Sequence, residues 1–146
     1  MSQWINTTPE QRITQWKTFR ESLENLPLEK QCDSVADFFS AMPIGARTID
    51  YYTPESWPTP WEILYNKTYC KNTISILMYD TLQIINNTPR IELQLINDEQ
   101  DTYLVPVIDN NIVLNHILGE VSKLDEFNSL YQITVLDRFQ NIIRKY

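Results

Sequence analysis

Cysteine, histidine, basic clusters and long apolar runs are what this 146-residue chain has little of, and each shortage removes a class of protein. Two cysteines, Cys32 and Cys70, are too few and too far apart for a disulfide framework, which fits a reducing compartment. With His116 as the lone histidine, the chain offers no recognisable metal site, and no organic cofactor is indicated. Positive charge is sparse: the net charge is −7 and the isoelectric point about 4.6. A nucleic-acid partner is therefore not expected, because such binders neutralise phosphates with Lys and Arg. No stretch approaches the roughly 20 apolar residues of a membrane span, and the first residues lack the charged and apolar regions of a signal peptide. No membrane partner is expected, and the protein should be intracellular when synthesised. The sequons at Asn6, Asn66 and Asn86 then read as coincidences of an asparagine-rich composition.

What is present is core-forming material. Aromatic residues make up 12% of the chain, with four Trp and eight Tyr, enough for a packed core without staples. We expect one domain over residues 1–146, with a helical part at 1–45, a Trp-Pro loop and central helix at 57–86, and a sheet at 90–137. The 19 carboxylates are dispersed and read as a solvated surface, although an acidic chain can also act as an inhibitor docking on a basic partner.

Thr8-Pro9-Glu10-Gln11 combines a cap, a proline at the first helical position and a capping box. Ile13, Trp16, Phe19, Leu23 and Leu26 then recur at helical spacing until Pro27. A second helix is expected over residues 28–42, with Leu28, Cys32, Val35, Phe38, Phe39 and Met42 as its apolar stripe, so Cys32 reads as a small core side chain. Residues 47–52 are a candidate strand. Pro54, Pro58 and Pro60 stiffen the chain before a second capping box, Thr59-Pro60-Trp61-Glu62, which starts a helix of about two turns. From Tyr69 to about Asn86 runs a central helix whose apolar surface is too broad for a single stripe, implying contact on two sides. Asn86-Asn87-Thr88-Pro89 stops it. Alternating residues then give four strands, at 91–95, 103–108, 112–117 and 130–136, with a hairpin turn at Asp109-Asn110-Asn111. Pro106 suggests an edge or a bulge in the second strand. Residues 120–128 read as a loop or short helix, and the C-terminal 138–146 are ambiguous.

The chemistry-bearing element is Cys70. A thiol at a helix N-terminus sits beside unpaired N–H groups and the positive end of the macrodipole, where a thiolate is favoured. Around it lie Trp57, Trp61, Tyr65 and Tyr69, with Tyr51 and Tyr52 further back; such aromatics either anchor the short helix or wall a binding cleft.

Trp57-Pro58-Thr59-Pro60-Trp61-Glu62 followed by Tyr69-Cys70-Lys71-Asn72 resembles the region of bacterial transglutaminase-like cysteine proteinases in which a Trp, a Thr-Pro pair and a small helix precede Asp-Cys-Glu-Asp. Residues 103–108 look like that family's histidine-bearing strand, and Val113-Leu114-Asn115 looks like its Val-Leu-Asp. The resemblance covers roughly residues 50–118 and implies an α+β, papain/transglutaminase-like fold. It implies N-terminal helices and a central Cys-bearing helix packed on an antiparallel sheet of about four strands. It also implies a Cys-His-Asp triad, in which an imidazole activates the thiol and a third group orients the imidazole. Here Cys70 matches and Asn115 is a tolerable orienting residue, but Tyr103, or Thr102 in the neighbouring register, stands at the histidine position. Neither titrates usefully near neutrality. His116 follows Asn115, and on a regular strand the two would point to opposite faces.

A catalytically degenerate domain acting as a binding or structural module, with a protein partner, is thus the favoured expectation, with Trp57, Trp61, Tyr65, Tyr69 and Tyr103 as candidate binding residues. An active cysteine hydrolase or acyl transferase using Cys70, Asn115 and His116 is the alternative; an acidic inhibitor of a host protein is a third. The Trp-Pro-Thr-Pro-Trp-Glu and Val-Leu-Asn elements also resemble small proteins of large tailed bacteriophages. That likeness implies a virion component or a host-directed protein, made in the host cytoplasm, with other virion proteins or a host protein as partner.

Overall fold

A computed structural model describes residues 7–44, 57–66 and 69–133. The strand expected at 47–52, Tyr51, Tyr52, Pro54, the Asn6 sequon and residues 134–146 lie outside that set.

Helix α1 (Pro9–Leu23) begins as its sequence dictates: Thr8 Oγ1 accepts from Gln11 N at 3.1 Å and Gln11 Oε1 accepts from Thr8 N at 2.8 Å. It buries Trp16 and Leu23 and stops before Leu26, which remains exposed. The early stop has a physical cause. Gln31 Nε2, from the next helix, donates to Leu23 O and Leu26 O at 3.0 and 3.1 Å, giving the last carbonyls partners that another helical turn would otherwise supply. Helix α2 (Leu28–Phe39) buries Cys32, Val35, Ala36 and Phe39. It ends short of the expected position at Ser40, whose Oγ donates to Asp37 O at 2.6 Å, yet Met42 beyond it still enters the core.

The buried Arg12 was not legible from the apolar spacing. Its Nε donates to Leu64 O at 2.7 Å, its Nη2 to Tyr65 O at 2.9 Å and its Nη1 to Thr7 O at 2.6 Å. The guanidinium fork thereby closes the C-terminal carbonyls of the short helix α3 (Pro60–Tyr65) and fixes it to α1. At its other end α3 carries the expected capping box between Thr59 and Glu62.

Helix α4 (Lys71–Asn86) is buried without interruption from Ile74 to Gln83, which accounts for the breadth of its apolar surface. The sheet lies on one side and the other helices on the rest. Its internal polar groups are paired: Ser75 Oγ donates to Leu104 O at 2.7 Å, and Thr81 Oγ1 accepts from Trp16 Nε1 at 2.9 Å. Asn87, in the left-handed region at φ 45°, ends it.

Five antiparallel strands follow: β1 (Ile91–Asn97), β2 (Thr102–Ile108), β3 (Ile112–Leu114), β4 (Val121–Lys123) and β5 (Asn128–Ile133). Their order is β4-β3-β2-β1-β5. The expected hairpin turn has Asp109 and Asn110 at positive φ, which short polar side chains tolerate. The segment 120–128 departs from expectation: besides a 3-10 turn, Leu124–Glu126, it supplies β4. β2 is interior in the sheet order, not an edge. Pro106 is accommodated because β3 pairs with β2 only at Val107 and Ile108, so the missing N–H falls where the ladder has run out. β3 itself ends at Leu114 and not at Ile117.

The sheet has two apolar faces. Leu93, Leu95, Leu104, Ile108 and Leu114 join the helices, whereas Ile96, Val105, Val107 and Val113 form a second cluster with Tyr103, Leu124 and Phe127.

Arg12→Met leaves two α3 carbonyls without donors in a buried setting, and urea unfolding should show a loss of about 3 kcal/mol. Arg12→Lys should recover less than half, because an ammonium cannot reproduce the planar fork.

Candidate functional site

The N-terminus of α4 is built on Cys70. Its backbone is extended (φ −86°, ψ 163°), and Sγ accepts from Thr73 N at 3.4 Å, so the thiol does the work that Ser, Thr or Asp usually does at a helix start. The S–H also lies 3.5 Å from Thr73 Oγ1, and the residue is buried. Tyr69 before it donates its N–H to Pro43 O at 3.0 Å and forms a parallel bridge with Ile44, which brings the end of the helical pair to the site.

Asn115 sits against the same helix end. Its Nδ2 donates to Lys71 O at 2.9 Å and Ser75 Oγ at 2.7 Å, while its buried Oδ1 has no partner. Its φ of 65° breaks the strand, yet Asn115 and His116 still point apart, as expected of neighbours on a strand. The left-handed turn sends Asn115 toward α4 and His116 elsewhere. His116 Nε2 lies 3.0 Å from Asp98 Oδ2, and its ring packs edgewise on Tyr103 and Phe127, with centroids 4.8 and 4.5 Å away. Among the described residues no hydrogen bond joins Cys70 to His116. Cys70 and Asn115 are thus brought to one helix end, and the imidazole is held by a different set of groups.

Strand alternation also separates Thr102 from Tyr103. Leu104 and Ile108 face the helices, which places Thr102 on Cys70's side of the sheet; Tyr103 belongs with Val105 and Val107 on the other. The Tyr103 hydroxyl donates to Asp98 Oδ2 at 3.0 Å, and its ring lies 4.6 Å under Lys71 Nζ. Of the other aromatic candidates, Trp57 and Tyr69 are core residues and Trp61 packs edge-on against Trp16 at 5.7 Å. Tyr65 alone of that group is open, at 68% exposure. The proline-framed loop is anchored inward.

Beside Lys71, the residue that follows Cys70, lies a cleft of about 410 Å³ lined by Ile44, Lys71, Asp98, Tyr103, His116 and Ile117, among others; the buried Cys70 is not part of its lining. Two of its polar residues escaped the sequence reading. Asp98, in the β1–β2 turn, accepts from Gln100 N, Asp101 N, Tyr103 Oη and His116. The His116 contact, then the two backbone N–H groups and the Tyr103 hydroxyl, hold its carboxyl well below the usual carboxylate range. Asp98 followed by Glu99, Gln100 and Asp101 between two strands is a turn signal, but nothing local announces its distant partners. Lys71, next to the cysteine, donates from Nζ to His116 O; burial lowers its pKa, with Asp101 and Asp98 opposing. Among the described residues no group of three or more His, Cys, Asp or Glu side chains is arranged to hold a metal ion.

This architecture has solved counterparts. The calcium-bound form of LapG from Legionella pneumophila superposes with a TM-score of 0.74 at 14% identity, covering 96% of this chain and 92% of that one. LapG without that description and an EGTA-treated form each give 0.70 at 17% identity, over 86% of this chain and 74% of theirs. The fold is transglutaminase-like, α+β, as the sequence resemblance implied. No protein-family model matches the sequence, and no curated protein matches it.

Because the folded-state value of Asp98 is depressed, its contribution to stability is complete above the ordinary carboxylate range and is lost as pH falls through and below about 4. Urea unfolding between pH 3 and 7 should therefore show a steeper acid-side decline for the native chain than for Asp98→Asn.

Proposed function

We propose that this chain is a catalytically degenerate transglutaminase-like domain that works by binding a protein partner in the cleft lined by Lys71, Asp98 and His116. The observation that carries this reading is the engagement of its one histidine. Cysteine acyl transfer needs an imidazole that shares a proton with the thiol and later protonates the leaving group. His116 instead bonds Asp98 and packs against Tyr103 and Phe127, while the Cys70 sulfur accepts from a backbone N–H as a helix cap. Thr102, on the helix-facing side of β2, has no group that titrates near neutrality. Asn115, which would orient an imidazole in an active relative, bonds the helix end.

A transglutaminase-like fold whose thiol caps a helix and whose one histidine is engaged by Asp98 supports recognition over turnover. LapG is described in one form as calcium-bound. The residues flanking Cys70 here are Tyr69, Lys71 and Asn72, none of them a carboxylate, so no step of this reading runs through a metal. The sequence resemblance to small phage proteins suggests the setting, a virion component or a host-directed protein.

Thiol alkylation decides between the readings. At pH 7 Cys70 should react with iodoacetamide more slowly than free cysteine, with Cys32→Ser used to isolate the signal. Labelling much faster than free cysteine, or turnover of a peptide or amide substrate that Cys70→Ala abolishes, would overturn the proposal.

A further inference from the structure

The cleft's polar groups are unequal in what they have left to offer. A carboxylate accepts about four hydrogen bonds, and Asp98 already has four, at 2.7 to 3.0 Å. Its capacity to accept is used within the protein. Lys71 is the opposite case. Its ammonium carries three donors, of which one goes to His116 O, and it has the face of Tyr103 on another side. Among the described residues no carboxylate lies within ion-pair distance of Lys71. A partly desolvated cation without a counter-ion, lining an open cleft, favours an incoming acceptor. The helix N-terminus beneath it adds the same sign of potential.

The rims of the cleft are apolar and open: Ile44 is 55% and Ile117 49% exposed. Large aliphatic side chains at that exposure in the same cleft as a cation suit a ligand with an apolar side chain next to an acidic group.

We infer that the cleft takes an extended peptide segment of a protein partner, with an aspartate or glutamate carboxylate on Lys71 and an adjacent aliphatic side chain between Ile44 and Ile117. This rests on the binding reading proposed above and names the chemistry of the bound segment. Two carboxylates act on Lys71, Asp101 and then Asp98, and both oppose an incoming carboxylate. Asp101 acts on Lys71 more strongly than Asp98 but does not line the cleft; Asp98 does, and the four donors around it offset its repulsion of a bound carboxylate.

The test uses three blocked tetrapeptides, each with leucine followed by aspartate, asparagine or lysine, titrated into the full chain and followed by backbone amide shifts. The aspartate peptide should bind about fivefold tighter than the asparagine one, with shifts centred on Lys71, Gln100, Tyr103 and Leu118. Lys71→Met should remove that preference and Lys71→Arg should keep it. Ile117→Asp, on the exposed rim, should weaken the aspartate peptide and provides a second variant should Lys71→Met fail to fold. Equal affinity for the aspartate and asparagine peptides, tighter binding of the lysine peptide, or no saturable shift with any of them would overturn the inference. Fast alkylation of Cys70 alongside an intact aspartate preference would refute the non-catalytic reading and leave this one standing.

Discussion

Burial of α4 on every side is the constraint from which the rest of the structure follows. A helix whose residues from Ile74 to Gln83 are all inaccessible must satisfy its own polar side chains inside the protein, and each pairing fixes another element. Ser75 bonds the β2 backbone at Leu104, Thr81 receives the Trp16 indole, and Gln83 bonds Thr88 and Ile91 at the start of β1. Sheet and helices are located by these bonds as well as by apolar packing. An unmade buried hydrogen bond costs about 1 to 3 kcal/mol, so alternative placements that left these groups unpaired would be substantially disfavoured.

The same demand shapes the helix end. Asn115 leaves the strand conformation and takes a left-handed one, in which its amide reaches Lys71 O and Ser75 Oγ. Asn tolerates that conformation better than most residues. One consequence is local, the end of β3 at Leu114. The other is chemical: the next residue, His116, is carried to Asp98 and its ring to Tyr103 and Phe127. Asn115 and His116 thus point apart, as a regular strand would also have had them, although the backbone between them is left-handed, and the cleft they leave keeps the spare donors of Lys71.

Local rules carried the element order a long way. Thr8 and Thr59 cap their helices through reciprocal boxes because the spacing of Thr and Gln or Glu permits nothing better, and Cys70 falls at the threshold of α4 because the helical period begins just after it. The strands alternate as their residues do. Ends were less legible: α1 stops at Leu23 because Gln31 from another helix takes its carbonyls, and β4 arises in a segment too short and polar to signal a strand.

The sequence by itself therefore determined the succession of helices before a sheet and the cysteine at a helix start, because caps, periodicity and turns are encoded within a few residues of one another; the transglutaminase-like fold was legible only through the resemblance carried by residues 57–72, 103–108 and 113–115. Tertiary structure decided what those residues face. It buried Trp57 and Tyr69, put Arg12 under the end of α3, carried His116 to Asp98, and surrounded Asp98 with donors while, among the described residues, leaving Lys71 without a carboxylate at ion-pair distance. Each of those outcomes depends on groups far away in the chain, and pairing over such separations is settled by packing and by the need to satisfy buried polar atoms, neither of which is encoded within a short window of sequence.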